Sequence, residues 1–205
     1  MVIAIIEKYS MSESDSLAES SNASNQHAWD EDVALMARIA KGEDAAMSLL
    51  VNRWKGPLTR FFNKSLHSLT DAEELTQNTF VKLYRAADRY KPIAKFSTYL
   101  FTIARRVLLD EIKRKARHPL DPTDPVELRG ESSPVGKMRR SELQEVLEQC
   151  LQNLPEKQRT ALLLRVQREL TYDDIASIMK VSQGAVKTWI HRARSHLRKN
   201  LKPLL

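Results

Sequence analysis

Gln183, Lys187, Thr188 and His191 stand within about two helical turns of one another, and Arg192, Arg194 and Arg198 follow on the same stretch. Amide, ammonium, hydroxyl and imidazole groups near the start of a helix can address base edges in a major groove, and guanidinium groups further along neutralise phosphate. No acidic residue occurs from Ile175 to Leu205, so nothing there repels a polyanion. A second set lies earlier, where Arg105, Arg106, Lys113, Arg114, Lys115 and Arg117 share one stretch with only Asp110 and Glu111 against them. Just before it, Tyr90, Phe96 and Tyr99 bracket Lys91 and Lys95. Rings interleaved with cations suit the holding of unstacked bases against a phosphate backbone. Phe96 and Tyr99 also fit core packing, and Tyr90 is the more open ring.

The charge balance has the same two centres. The chain of 205 residues carries 33 Lys and Arg against 26 Asp and Glu, a formal net charge of +7. Residues 97–118 contribute six cations and two acids, and residues 171–205 contribute seven cations and two acids. Two positive helices apart in sequence suggest two contacts on one extended anion, with duplex DNA the obvious one. The charge split alone fits two solvated helical faces equally well.

Other chemistries find little support. A single cysteine, Cys150, excludes an internal disulfide and any Cys-rich metal site. His191 and His196 are five residues apart with no cysteine nearby, a poor metal pair. Asp71, Glu73, Glu74, Asp110 and His118 could act as acids or bases, but no nucleophile–base pair or Gly-rich phosphate loop can be assembled. The expectation is a non-enzyme with no cofactor and no metal. The longest apolar run, Met1 to Ile6, is far too short to span a bilayer, so the expected location is cytoplasmic.

The elements that position these residues read as all-helical, in two small domains. Residues 1–28 hold seven serines between Ser10 and Ser24 and few large apolar groups, which predicts a disordered leader. Its apolar start is compatible with a docking strand, a local helix or a true start at Met11. Residues 29–117 show four helical stripes. The first has Val33, Met36, Ala37 and Ala40, ending at Gly42; the second runs from Ala46, Leu49, Leu50 and Trp54 past Pro57 to Leu58, Phe61 and Phe62. The third opens at Thr70 or Asp71 and carries Leu75, Thr79, Phe80, Leu83 and Tyr84. The fourth starts near Ser97 with Leu100, Ile103, Ala104, Val107, Leu108 and Ile112.

Residues 118–139 hold four of the eight prolines and two glycines, which reads as a flexible linker. Fully extended it reaches ~70 Å at ~3.3 Å per residue, or roughly 20 base pairs. Residues 140–205 form the second domain. Leu143, Val146, Leu147, Cys150 and Leu151 recur at helical spacing, which makes Cys150 a core residue, and Leu162, Leu163 and Val166 continue on the helix after Pro155. Thr171 and Asp174 make a capping box, Lys180 to Ser182 a turn, and Val186, Ile190, Ala193 and Leu197 the buried stripe of the last helix. This is a helix-turn-helix, and with its caps and acid-free second helix it favours DNA over a merely solvated face. Trp189 lies beside the stripe, better suited to packing on the preceding helix than to a sugar contact.

DAEELTQNTFVKLYRAADRY (Asp71–Tyr90) and KFSTYLFTIARRVLLDEIKRKAR (Lys95–Arg117) resemble conserved region 2 of bacterial RNA polymerase sigma factors. LQNLPEKQRTALLLRVQRELTYDDIASIMKVSQGAVKTWIHRARSHLRKNL (Leu151–Leu201) resembles their region 4. With only these two regions and a short linker, the resemblance is to the extracytoplasmic-function (ECF, group 4) type. It implies a promoter-recognition subunit that binds core RNA polymerase through the β′ clamp helices and β. The helix Asp71–Arg85 would meet the clamp helices, with Asp71, Glu74, Leu75, Gln77 and Phe80 in the family's positions. Tyr90, Lys91, Lys95, Tyr99, Arg105, Arg106, Lys113, Arg114 and Arg117 would serve −10 recognition and strand opening, and the last helix would read the −35 element. The linker would run toward the RNA exit path.

The resemblance also implies an anti-sigma partner, which could hold the protein near the membrane, and no stable homo-oligomer. Tyr99 stands where the family usually has Trp, Arg106 where it has Asn, and Trp189 often corresponds to Arg. A helix-turn-helix repressor or activator acting without polymerase explains residues 141–205 equally well, but not the second cationic helix.

Overall fold

The computed structural model describes the backbone of residues 22–117, 145–166 and 170–201, with side chains from residue 31 onward in those ranges. Residues 1–21 of the expected leader and the whole expected linker lie outside the described residues. Among the described residues every regular element is a helix. The first domain holds α1 (Asn22–Ile39), α2 (Asp44–Leu66), α3 (Leu69–Arg85), a 3-10 turn (Ala87–Arg89) and α4 (Phe96–Arg117). The second holds α5 (145–152), α6 (Glu156–Val166), α7 (Tyr172–Met179) and α8 (Gln183–Leu201).

α1 begins at Asn22, inside the stretch expected to lack structure. No Gly or Pro lies between Asn22 and Asp30, and Ala23, Gln26 and Ala28 have good helix propensity, so a helix anchored further on can extend back. Its buried face also differs from the expected stripe. Asp32, Leu35, Met36 and Ile39 are buried, while Ala37 and Ala40 are exposed. Asp32 explains the rotation. Arg53 donates to its Oδ1 at 2.7 Å and Trp54 Nε1 to its Oδ2 at 3.1 Å, drawing this carboxylate inward beside Leu35 and Ile39. Gly42, at φ 83°, takes the left-handed conformation that ends the helix.

α2 continues through Pro57 and buries Trp54, Leu58, Phe61 and Phe62, leaving Leu49 exposed. Its aromatic groups meet those of α4: Trp54 lies 5.8 Å from Phe96 and 6.2 Å from Phe101, and Phe61 lies 5.5 Å from Phe101 between ring centroids. Such tilted and edge-to-face contacts add specificity to the apolar burial. Ser68 caps α3, its hydroxyl accepting from the Asp71 N–H at 3.2 Å, two residues before the earlier of the expected starts.

In the second domain Cys150 is buried, as its spacing predicts, and burial pushes its thiol pKa up. Ala161 and Leu164 join Leu162 and Leu163 in the core, whereas Val166 is exposed. Thr171 and Asp174 form the predicted capping box, with 2.9 Å from the Thr171 N–H to Asp174 Oδ2 and 3.1 Å from the Asp174 N–H to Thr171 Oγ1. Lys180, at φ 56°, ends α7 in the left-handed region and turns the chain into α8. The domains touch where α4 meets α7 and where α2 meets α6.

Candidate nucleic-acid interface

α8 buries Val186, Ile190 and Ala193 against α6 and α7. Ser182 holds its start by accepting from the Ala185 N–H at 3.3 Å. Helical rotation places Thr188, His191, Arg192 and Arg198 on the exposed side, together with Lys187. Gln183 and Arg194 lie at the edge of the buried stripe and are half-buried. Gln183 Nε2 donates to Asp173 Oδ1 at 2.9 Å, and the Lys187 ammonium lies 5.7 Å from the Tyr172 ring centroid. Both groups at the start of the helix therefore rest on α7. Gly184, absent from the sequence expectation, shares the exposed side with Ser195. A Cβ at Gly184 would meet nothing within 4 Å, so this face is open at its N-terminal turn. Trp189 is half-buried and packs on the core, with the Lys157 ammonium of α6 5.8 Å from its ring.

The second surface starts at residue 90. Residues 91–95 are all exposed between two anchored rings. Phe96 is fully buried, and Tyr90 is half-buried with its ring 6.3 Å from Phe96 and 4.8 Å from Tyr99. The Tyr90 hydroxyl is buried without a hydrogen-bond partner, and burial pushes its pKa up to about 12. Tyr90 is thus more exposed than Phe96 without being a free ring. Tyr90 has aromatic neighbours on α4 and supports the loop from inside. Tyr99 is half-buried beside it.

The cations of α4 divide into two groups. Arg114 makes two hydrogen bonds of 2.7 Å to the buried carboxylate of Glu111, and Lys115 pairs with Asp71. Burial alone would raise the Asp71 pKa, but hydrogen bonds from Lys115 and Ser68 hold it below the usual range. Lys95 lies 3.5 Å from Asp174 of α7. Arg106, Lys113 and Arg117 face outward, and Arg105 is half-buried with its Nε lacking a hydrogen-bond partner.

α3 presents a mixed face. Glu74, Gln77, Asn78, Val81, Lys82 and Tyr84 are exposed, Val81 and Tyr84 each by 47 %. Leu75 and Phe80, which the resemblance assigned to a partner, are only 4 % and 6 % exposed and belong to the domain core. On this amphipathic helix the larger apolar groups follow the inward stripe with Ala72, Thr76, Thr79 and Leu83. Among the described residues no group of three or more His, Cys, Asp or Glu could hold a metal ion.

Two outward cationic surfaces on two helical domains, one of them a helix-turn-helix, define a combination that known families share. A family model described as Sigma-70 region 2 matches residues 50–118, and one described as Sigma-70, region 4 matches residues 144–197. The chain belongs to the sigma-70 family.

Its relatives agree. The RNA polymerase sigma-H factor of Pseudomonas aeruginosa is 32% identical over 186 residues, covering 86% of this chain and 96% of the relative. The ECF RNA polymerase sigma-E factor of Haemophilus influenzae is 30% identical over 190 residues, covering 85% and 97%. This sigma factor is therefore of the ECF type, as its motifs predict. Among solved structures, CnrH in complex with the cytosolic domain of CnrY has a TM-score of 0.64 at 25% identity, covering 84% of this chain and 98% of CnrH. That complex corrects the simple expectation of a cytoplasmic protein. A relative is held by one domain of a partner, described as its cytosolic domain, so partner context enters any statement of location. No helix among the described residues is long and apolar enough to cross a membrane. A stand-alone helix-turn-helix regulator leaves the region 2 match unexplained.

Proposed function

We propose that this sigma factor joins core RNA polymerase and directs it to promoters with two separated elements, which the two domains engage together. The observation that carries the reading is the order of region 2 and region 4 matches on one chain, each coinciding with an outward cationic helix surface. The working boundaries are 29–117 for the first domain and 140–205 for the second.

The exposed face of α3, with Glu74, Gln77, Asn78 and Val81, meets the polymerase. Lys91, Lys95, Arg106, Lys113 and Arg117 hold −10 DNA and the opened strand, and Lys187, Thr188, His191, Arg192 and Arg198 contact −35 DNA. Phosphate contacts set position, while groups near the start of α8 carry the base discrimination. The residues present supply contacts and no catalytic chemistry; polymerisation belongs to the core enzyme.

The complex of CnrH with the cytosolic domain of CnrY supports a protein partner for this factor as well. An anti-sigma partner anchored in the membrane would keep the factor there until released. Run-off transcription with purified core polymerase tests the function. Specific transcripts that depend on the added factor support it, and a dimer that binds operator DNA without stimulating core polymerase overturns it.

A further inference from the structure

Residues 171–205 contain two acids, Asp173 and Asp174, on an otherwise cationic segment. Asp174 is occupied by the capping box and by Thr98 of α4. Asp173 is exposed beside the start of α8, where a free carboxylate would repel phosphate. Its partner lies ten positions further on, across the turn. Gln183 Nε2, at the first residue of α8, donates to Asp173 Oδ1 at 2.9 Å. The pair lines an open groove with Ser177, Lys180 and Ser182, so the amide is held at the surface rather than sealed in the core.

An acid in the first turn of a helix suits the helix dipole, and that alone would make Asp173 a fold residue. The bond to α8 adds a constraint of a different kind. A carboxylate accepts and does not donate, so the amide nitrogen of Gln183, and not its oxygen, faces Asp173. One amide hydrogen is then taken. Gln183 keeps one N–H donor and its Oε1 acceptor for a ligand. In the major groove adenine offers the matching pair, an N7 acceptor beside an N6 donor. Guanine offers two acceptors, and cytosine and thymine each offer a polar group of one kind only, so none of these satisfies both.

Resting on the sigma-factor reading above, we infer that Asp173 is a positioning residue for −35 recognition, fixing the Gln183 amide so that α8 selects adenine at the base pair this side chain reaches. Asp173 itself touches no base. Gln183, half-buried through its bond to α7, thereby joins the residues that read the −35 element.

The test uses the full chain with core polymerase and promoter fragments that carry every single base-pair change across the −35 element. Relative affinity is measured by competition, with thermal melts of each variant alongside. The unsubstituted factor should prefer adenine at one position by about tenfold, within the range of a two-bond base contact. Placing 7-deazaadenine there, which lacks the N7 acceptor, should remove most of that preference. Gln183→Ala should abolish the preference at that position alone. Asp173→Ala should reduce it nearly as far, and the double variant should be no worse than Gln183→Ala. Asp173→Glu, which keeps the charge and the acceptor, should fall between Asp173→Ala and the unsubstituted chain.

A full adenine preference in folded Asp173→Ala overturns the inference and leaves the sigma-factor reading intact. So does an equal rise or fall in affinity for every sequence, the result expected of an acid that only repels phosphate or stabilises α7. Wild-type preferences at every position in Gln183→Ala would show that this amide reads no base, and overturn the inference in the same way. If the unsubstituted factor selects no promoter with core, the functional reading fails and takes the inference with it.

Discussion

Thr98 Oγ1 donates to Asp174 Oδ1 at 3.0 Å, joining α4 of the first domain to α7 of the helix-turn-helix. The same carboxylate closes the capping box with Thr171 and receives Lys95. One acid therefore serves both the fold of the second domain and its docking on the first. Thr98→Val removes only the docking bond and should separate the domains without lowering the second domain's melting temperature. Asp174→Asn should do both, with a cap loss of about 1 kcal/mol. Distance measurements between dyes on the two domains, read beside thermal melts, distinguish the variants.

The pH dependence of this contact follows from the same groups. Burial would raise the Asp174 pKa, but hydrogen bonds from Thr171 and Thr98 and the charge of Lys95 hold it below the ordinary carboxylate value. A depressed acid contributes stability above its unfolded pKa and loses that contribution as pH falls through the folded value. Docking should therefore persist at neutral pH and weaken only well into the acid range. Asp174→Asn should remove that acid-side step in the same distance measurement.

Asp32 supplies a second test of an internal contact. It is only 3 % exposed and accepts from both Arg53 and Trp54. Asp32→Ala leaves a guanidinium and an indole N–H without this partner, and should destabilise the first domain by about 3 kcal/mol. Chemical denaturation of the full chain should show the loss in the transition assigned to that domain. DNA binding by α8 should be unaffected at temperatures where both domains remain folded.

On α3 the sequence resemblance and the structure assign different roles to neighbouring positions. Leu75 is buried and Val81 is half-exposed. Leu75→Asp should unfold the first domain, because it buries an unpaired carboxylate. Val81→Asp should retain the native circular dichroism and lose copurification with core polymerase. A native Val81→Asp variant with full core binding would remove this face from the polymerase contact.

The last helix separates base contacts from phosphate contacts. Lys187 stands one turn into α8 and Arg198 near its end, both exposed. Lys187→Ala should relax preference among −35 sequences, since a good base contact carries about 1–3 kcal/mol of discrimination. Arg198→Ala should weaken all sites alike and lower the salt slope by about one. Equal scaling across all sites by both variants would place Lys187 on phosphate. Arg194 is a poorer probe than its sequence position suggests, because it is half-buried.

The helices and the helix-turn-helix were legible because strong apolar periods coincide with caps, as at Thr171, Ser182 and Gly42. The side facing the core was less legible where a stripe held small or polar residues. Asp32 turned α1 by pairing with residues more than 20 positions away, and no local period contains that information. Leu75 and Phe80 illustrate the converse: a family position names a helix correctly, but only packing decides which of its side chains reach a partner.

Tyr90 offers a final test that separates a supporting ring from a base-stacking one. Its ring packs on Phe96 and Tyr99, and its buried hydroxyl has no hydrogen-bond partner. Burial, with smaller contributions from Tyr99 and Asp32, raises its pKa to about 12. A group raised in the folded state keeps its stabilising contribution below the unfolded pKa, near 10 for tyrosine, and loses it as pH rises through the folded value. Stability should therefore decline between about pH 10 and 12, and Tyr90→Phe should remove this part of the decline. Because Phe preserves the ring and removes an unpartnered hydroxyl, the variant should be at least as stable as wild type at neutral pH. Tyr90→Ala should instead cost about 3 kcal/mol through the cavity left beside Phe96. Phe should support promoter opening fully, and Ala should lower it on duplex templates by misplacing the loop of residues 91–95. Spectrophotometric titration and permanganate footprinting read the two sides of this test. Normal opening by a folded Tyr90→Ala variant would show that the loop holds its geometry without this ring.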